Sequence, residues 1–144
     1  MNRSKEEVSL LMVEDDDLDA MAITRAFKKL KLLNPLIRAK DGVEALEYLR
    51  GDNGRDKIPK PFMVLLDLNM PRMNGIEFMA ELRKDPALCS SVVIVLTTSA
   101  ADKDKLAAYD THVAGYVIKS DLGNSFLEVI ELIECYWKIV SLPA

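Results

Sequence analysis

The stretch LLDLNMPRMNG, residues 65–75, decides how this chain folds. An apolar run ends there in a single carboxylate, Asp67, and turn-forming residues follow at once, with Pro71 and Gly75 among them. This pattern is typical of a buried strand that leaves its sheet through a tight loop. Open α/β sheets bind ligands at the edge where their strands end. Asp67 is therefore the first candidate for a functional group.

Four further apolar runs predict four more strands, and helical patterns separate all five. The strands are expected at residues 8–13, 35–39, 62–67, 91–100 and 115–119, and the helices at residues 18–32, 43–50, 76–84, 101–110 and 124–140. Strict alternation of strand and helix calls for a parallel sheet between two helix layers. The predicted fold class is α/β, a doubly wound five-stranded parallel sheet of flavodoxin-like type in the order 2-1-3-4-5.

Two local features belong to this prediction. Asp17 precedes the first helical pattern and is expected to be its N-cap. The segment GDNGRDKIPKP, residues 51–61, is rich in glycine, proline and charge and has no period, so it predicts a long surface loop.

The composition is that of a single soluble domain. We expect one domain over residues 1–144 with an extended C-terminal helix and tail, because 144 residues can bury a core. A polar N-terminus and the lack of a long apolar run predict a cytoplasmic protein without a membrane partner. A net charge of −4 and the lack of a basic cluster argue against nucleic-acid binding. Cys89 and Cys135 are expected to be free thiols in or near the core.

Polar side chains at the predicted strand exits should meet at one edge of the sheet. They are Glu14 and Asp15 after the first strand, Asp67 and Asn69 after the third, Thr97 after the fourth and Lys119 after the fifth. Converging carboxylates repel one another, and beyond Lys119 the excess negative charge suits Mg²⁺. Such a group can bind a phosphoryl group that Asp67 attacks in line, giving an acyl phosphate. Thr97 would then donate a hydrogen bond to the phosphoryl oxygens.

In these residues the chain resembles the response-regulator receiver domains of two-component signalling. The resemblance joins the acidic pair after strand one, the D-x-N-M-P-x-M-x-G turn, and the threonine and lysine after strands four and five. It covers essentially the whole chain. It implies that Asp67 accepts a phosphoryl group from a sensor histidine kinase. It also implies that the protein is not an enzyme, beyond assisting its own phosphorylation and dephosphorylation.

The resemblance also assigns a role to each site residue. It implies that Asp15, Asp67 and the backbone carbonyl of Asn69 bind Mg²⁺ directly and that Glu14 binds it through water. It also implies that Thr97 and Lys119 hold the phosphoryl group and that Thr97 and Tyr116 form a conformational switch. Asn69 and Ser99 are implied to tune dephosphorylation.

Among receivers, the chain is most similar to the small stand-alone regulators paired with bacterial and cyanobacterial phytochrome histidine kinases. The loop at residues 51–61, the V-L-T-T-S segment and the tail CYWKIVSLP carry this narrower resemblance. It implies a phytochrome-type kinase as partner. A chemotaxis-like or other stand-alone regulator is the alternative. The chain ends soon after the last helix, so we expect its output to be altered protein-protein binding.

The chain departs from the family at two positions, and the first is Glu14, which stands where aspartate is more common. Ser120 follows Lys119 where the family usually has proline, so a trans Lys119–Ser120 bond is expected.

A Mg²⁺-dependent phosphohydrolase that forms an aspartyl phosphate would need an acid two residues after the nucleophile, where this chain has Asn69. A receiver-like protein that only binds partners is disfavoured because every phosphorylation position is present. A flavodoxin is disfavoured because no phosphate-binding loop follows the first strand.

The last predicted helix carries two neighbouring apolar stripes. The first comprises Phe126, Ile130, Ile133, Trp137 and Val140, and the second comprises Val129, Leu132, Tyr136 and Ile139. Together they span about half of the helix circumference, which is more than one sheet face requires. A wide core face is one interpretation. The preferred hypothesis is that the second stripe is exposed in the monomer and forms the interface of a homodimer.

Overall fold

The structure, a computed structural model, describes residues 8–122 and 126–143. The strands are β1 (Ser9–Val13), β2 (Leu36–Ala39), β3 (Phe62–Leu66), β4 (Val92–Thr97) and β5 (Gly115–Ile118). The helices are α1 (Asp17–Lys29), α2 (Gly42–Arg50), α3 (Gly75–Lys84), α4 (Asp102–Asp110) and α5 (Leu127–Ile139), with a short 3-10 turn at Lys119–Asp121. The strands form one parallel sheet in the order β2-β1-β3-β4-β5. The predicted fold class and strand order are confirmed.

Helices cover both faces of the sheet, which explains why its central strands are apolar throughout. All residues of β1 and β3 are buried. One apolar cluster lies between the sheet and α2, α3 and α4, and the other lies between the sheet and α1 and α5. In the second cluster the rings of Phe27 and Trp137 meet edge to face, with centroids 6.2 Å apart. Burial of these two faces supplies the main driving force for folding.

The register of the strands brings their exits to the same level. Val13 of β1 pairs with Leu66 of β3, and Leu66 pairs with Val95 of β4. The backbone N–H of Asp67 donates to the carbonyl of Val13 at 3.0 Å. Side chains that directly follow β1 and β3 are therefore neighbours in space although they are far apart in sequence.

The N-cap of α1 differs from the predicted one. The Asp16 carboxylate accepts hydrogen bonds from the backbone N–H groups of Leu18 and Asp19, at 2.9 and 3.3 Å. Asp17 is instead the first residue of the helix and forms an ion pair with Arg38 at 2.8 Å. The prediction was wrong by one residue because consecutive aspartates offer equally good caps, and only the path of the chain out of β1 selects one.

The α5 helix corrects part of the predicted interface. Val129 is only 2% exposed and packs in the core, whereas Leu132 and Ile139 are 50% and 77% exposed. Tyr136 is partly buried against the core. Val129 is therefore not available to a partner, because the rotation of α5 places both Val129 and Ile130 against the sheet and α1. The predicted helix start at Asn124 lies outside the described residues.

Three smaller expectations concern the cysteines, one peptide bond and the membrane. Cys89 and Cys135 are free, but both are exposed, so their predicted place in or near the core was wrong. Within the described residues the cis peptide bond is Lys60–Pro61, and the Lys119–Ser120 bond is trans as expected. No helix in residues 8–122 or 126–143 is long and apolar enough to cross a membrane.

Candidate functional site

Three carboxylates meet where β1 and β3 leave the sheet. Each of Glu14, Asp15 and Asp67 places an oxygen within 4.8 Å of the others. Glu14 and Asp67 are buried, and Asp15 is exposed to solvent. Carboxylate oxygens are the ligands that hard divalent cations prefer, and an open side leaves room for water ligands. This donor set fits a divalent metal ion.

A buried lysine lies beside these acids. Lys119 follows β5, and its side chain is 9% exposed. Its Nζ donates to Glu14 Oε1 at 2.7 Å and to Asp19 Oδ2 at 2.6 Å, and it lies 3.6 Å from Asp67 Oδ2. The ammonium therefore offsets part of the negative charge that the sheet topology concentrates here.

The pKa values of this buried pair reflect both burial and charge. The pKa of Glu14 is raised to about 7, because burial and the charge of Asp67 raise it by more than the hydrogen bond from Lys119 lowers it. Burial lowers the pKa of Lys119, but its hydrogen bonds to Asp19 and Glu14 and the charges of Asp67 and Glu14 leave that pKa above its ordinary value. Lys119 therefore stays cationic at neutral pH.

The loop that carries Asp67 is packed tightly against the start of α3. Asp67 Oδ1 accepts a hydrogen bond from the backbone N–H of Asn69 at 3.3 Å. The N–H of Gly75 donates to the Leu68 carbonyl at 2.9 Å. A Cβ at Gly75 would lie 2.6 Å from the backbone oxygen of Asp67 and 2.7 Å from Leu68 Cα. Only glycine permits this approach, so the turn of residues 67–75 depends on it.

The loop after β2 is hydrogen-bonded to this turn. Arg72 donates two hydrogen bonds to the carboxylate of Asp41, at 2.7 and 3.0 Å. The N–H of Gly42 donates to the carbonyl of Met73 at 3.1 Å. Asp41 is also the N-cap of α2. The loop after β2 and the loop after β3 therefore form one connected unit.

The loop after β4 holds the predicted switch residues together. Thr97 is fully buried at the end of β4, and its Oγ1 accepts a hydrogen bond from the Ser99 N–H at 3.4 Å. The Tyr116 hydroxyl donates to the Ser99 carbonyl at 2.9 Å, and the Ser99 hydroxyl donates to Asp104. Tyr116 is thus attached to the backbone of the same loop that Thr97 begins.

The structure brings half of the predicted site residues into one cluster and adds residues that the sequence did not reveal. Glu14, Asp15, Asp67 and Lys119 form one cluster. The predicted interface on α5 is separate from it and loses Val129. The residues that sequence reasoning missed are Asp19, Asp41, Arg72 and Asp104. A signal existed for Asp19, because it stands four residues after Asp15, in the first turn of the helix that leaves the site.

Comparison with known proteins agrees with this geometry. The response regulator receiver domain family matches residues 10–131. Response regulator Rcp1 of Synechocystis sp. is 35% identical over 136 residues, which cover 94% of this chain and 92% of Rcp1. The probable methanogenesis regulatory protein FilR2 of Methanothrix harundinacea is 38% identical over 128 residues, which cover 89% of this chain and 82% of FilR2.

Solved structures share the fold over nearly the whole chain, as two examples show. The Mn²⁺-bound form of Rcp1 has a TM-score of 0.83 at 34% identity and covers 96% of this chain and 99% of its own. The phosphorylated cyanobacterial phytochrome response regulator RcpA has a TM-score of 0.86 at 32% identity, with the same coverage. The family match spans most of the chain, and the sheet order and acidic cluster agree with it. The protein therefore belongs to the response regulator receiver domain family, whose members signal through phosphorylation.

Proposed function

We propose that Asp67 accepts a phosphoryl group from the phosphohistidine of a sensor histidine kinase. An oxygen of Asp67 forms a bond to phosphorus while the phosphorus–nitrogen bond of the donor breaks. The histidine nitrogen leaves with the electron pair and takes up a proton. The observation that carries the proposal is the cluster at the end of β3, where a buried carboxylate lies 3.6 Å from a buried lysine ammonium.

Mg²⁺ is the proposed metal of this site. Asp15, Asp67 and the backbone carbonyl of Asn69 would hold it directly, and Glu14 would hold it through water. When bound, Mg²⁺ supplies positive charge that neutralises the oxygens of the transferring phosphoryl group. The all-oxygen donor set supports a hard divalent cation, and the Mn²⁺-bound form of the similar protein Rcp1 is consistent with one.

Thr97, Lys119 and Tyr116 are proposed to read the phosphorylation state. Thr97 and Lys119 would turn towards the new phosphoryl oxygens, because these carry charge and accept strong hydrogen bonds. Movement of Thr97 shifts the loop after β4, to which the Tyr116 hydroxyl is bonded through the Ser99 carbonyl. Ser99 and Asn69, each two residues after a site residue, are proposed to tune dephosphorylation. The output is a population shift that alters protein-protein binding.

The proposed phosphodonor is a phytochrome-type histidine kinase. The similarity to the phytochrome response regulator RcpA supports this partner. The alternative is a chemotaxis-like or other stand-alone regulator, and the similarity to the probable methanogenesis regulatory protein FilR2, at 38% identity, is consistent with it. We propose that the exchange takes place in the cytoplasm. Phosphotransfer profiling against the histidine kinases of the same genome distinguishes the two partners, because only the cognate kinase should label the protein rapidly.

A homodimer through α5 is a further part of the proposal. Leu132 and Ile139 are large apolar side chains on the solvent side of this helix, and Tyr136 lies between them at the edge of the core. A twin helix would remove these side chains from water. Val129 is excluded from this interface because it is buried in the monomer.

Substitution of Asp67 tests the assignment directly. Asp67→Asn should abolish Mg²⁺-dependent labelling by acetyl phosphate, because an amide cannot form the acyl phosphate. Asp17→Asn is the matched control, since Asp17 is paired with Arg38 on the surface, and it should label like the wild type. Labelling that persists in the Asp67→Asn protein would contradict the assignment. Wild-type protein should not turn over small phosphate esters, because Asn69 cannot protonate a leaving group.

A further inference from the structure

Lys119 is bound more closely by Asp19 than by the proposed phospho-acceptor. The ammonium lies 2.6 Å from Asp19 Oδ2 and 2.7 Å from Glu14 Oε1, but 3.6 Å from Asp67 Oδ2. The last distance exceeds the range of an N–H···O hydrogen bond. Two of the three ammonium hydrogens are therefore committed to carboxylates other than Asp67.

The position of Asp19 is set by the start of α1. Its backbone N–H donates to the N-cap carboxylate of Asp16, and it stands in the first turn of the helix. The contact joins residues that are 100 positions apart in the sequence. It links α1 to the turn after β5, next to Glu14. The carboxylate is therefore held at Lys119 by secondary structure and not by a flexible loop.

A phosphoryl group on Asp67 would compete for the same ammonium. Its oxygens carry more charge than the Asp67 carboxylate and accept strong charge-assisted hydrogen bonds. Lys119 can turn towards them only if it gives up a present partner. Asp19 is 27% exposed and can be hydrated after release, whereas Glu14 is 3% exposed and would be left buried without its partner. The Asp19 contact is the one that can break at the lower cost.

We infer that Asp19 is a positioning residue that holds Lys119 away from Asp67 and competes with the phosphoryl oxygens for the ammonium. Asp19 thereby shifts the balance towards the unphosphorylated conformation. It is not one of the three carboxylates whose oxygens converge for a metal ion. The inference rests on the proposed function, because it requires a phosphoryl group on Asp67.

Beryllofluoride provides the test, since with MgCl₂ it binds a carboxylate as a stable stand-in for the phosphoryl group. Its apparent Kd is measured by fluorine NMR titration of the full chain. Asp19→Asn should bind beryllofluoride about threefold to fivefold more tightly than the wild type, the change expected for loss of a partly exposed ion pair that competes for the ligand. Asp19→Glu, which keeps the carboxylate, should restore affinity towards the wild-type value.

Two controls separate the contact from a general effect of charge. Asp17→Asn removes a charge from the same helical turn without touching Lys119, and it should leave the affinity unchanged. With Lys119→Met, the effect of Asp19→Asn should disappear. Equal tightening by Asp17→Asn, or an effect that persists without Lys119, would overturn the inference. If the Lys119→Met proteins bind beryllofluoride too weakly to titrate, the comparison of Asp19→Asn with Asp17→Asn decides the inference alone.

The remaining outcomes distinguish the inference from the function on which it rests. If wild-type protein binds beryllofluoride and Asp67→Asn does not, the phospho-acceptor is supported independently of Asp19. Unchanged or weaker binding by Asp19→Asn would then overturn only the role of Asp19. If wild-type protein fails to bind beryllofluoride with MgCl₂, the proposed function fails, and the inference fails with it.

Discussion

Asp67 owes its position to a residue that has no side chain. The turn after β3 folds back until Gly75 touches the backbone of Asp67 and Leu68, and the Gly75 N–H bonds to the Leu68 carbonyl. The Asp67 carboxylate and the start of α3 are therefore built as one unit. The two ends of the turn of residues 67–75 are thus joined by one close backbone contact.

Replacement of Gly75 by alanine should destabilise the protein by about 1–3 kcal/mol, the usual cost of overpacking. The added Cβ would lie 2.6 Å from a backbone oxygen, and backbone atoms cannot move aside cheaply. Urea unfolding at neutral pH measures the change. Gly115→Ala is the control, because its Cβ would meet its nearest neighbour at 3.9 Å. Similar stability of the two variants would contradict the packing argument.

At the scale of the element, the loops after β2 and β3 stabilise each other. The Arg72–Asp41 pair and the bond from Gly42 to Met73 connect them. Burial raises the pKa of Asp41, but its hydrogen bonds from Arg72 and Glu44 outweigh burial, so the net shift is downward. A group with a lowered folded-state pKa contributes stability above its unfolded pKa, about 3.9 for aspartate. That contribution is lost as the pH falls through the folded-state value.

The Arg72→Gln variant should show this pH dependence. Its urea midpoint should lie below that of the wild type at pH near 7, because the charged Asp41 loses its partner. The difference should shrink as the pH falls below about 3.9, since protonation of Asp41 removes the advantage of the wild type. Lys84→Gln, which loses only an exposed 3.7 Å pair with Glu81, should show a much smaller trend. A difference that stayed constant with pH would exclude the Asp41 pair as its cause.

At the scale of the whole molecule, α5 faces two environments. Its inner side, with Ile130, Ile133 and Trp137, completes the core against the sheet and α1. Its outer side leaves Leu132 and Ile139 in solvent. This division supports a homodimer with a smaller apolar contact than the sequence stripe predicted, because Val129 belongs to the inner side.

Sedimentation velocity tests the dimer with Mg²⁺ and beryllofluoride present. The wild type should dimerise at micromolar concentration, and a Leu132→Asp, Ile139→Asp variant should remain monomeric because charges in an apolar interface are costly. Leu33→Asp is the control, since Leu33 is 97% exposed and belongs to the connection between α1 and β2, not to α5. Only monomer in the wild type would end the dimer hypothesis.

Much of the fold and the centre of the site could be predicted from the sequence. Apolar runs that end in acids at residues 14 and 67 mark strands and their exits, and parallel topology brings such exits to one edge. The residues at which the helices begin depend on more than local chemistry. Asp15, Asp16 and Asp17 are consecutive at the start of α1, and any of them could cap it, so the observed cap, Asp16, lies one residue from the predicted one. Local chemistry at that point does not distinguish the alternatives.

The sequence by itself determined the order of elements, the sheet topology and the carboxylates at the strand exits, because these depend on local periodicity and on general rules of chain connection. Only the tertiary structure decided that Lys119 lies against Asp19, that Arg72 binds Asp41 and that Val129 is buried. These contacts join residues distant in sequence. They depend on the rotation of each helix and on the path of each loop, which packing of the whole molecule sets.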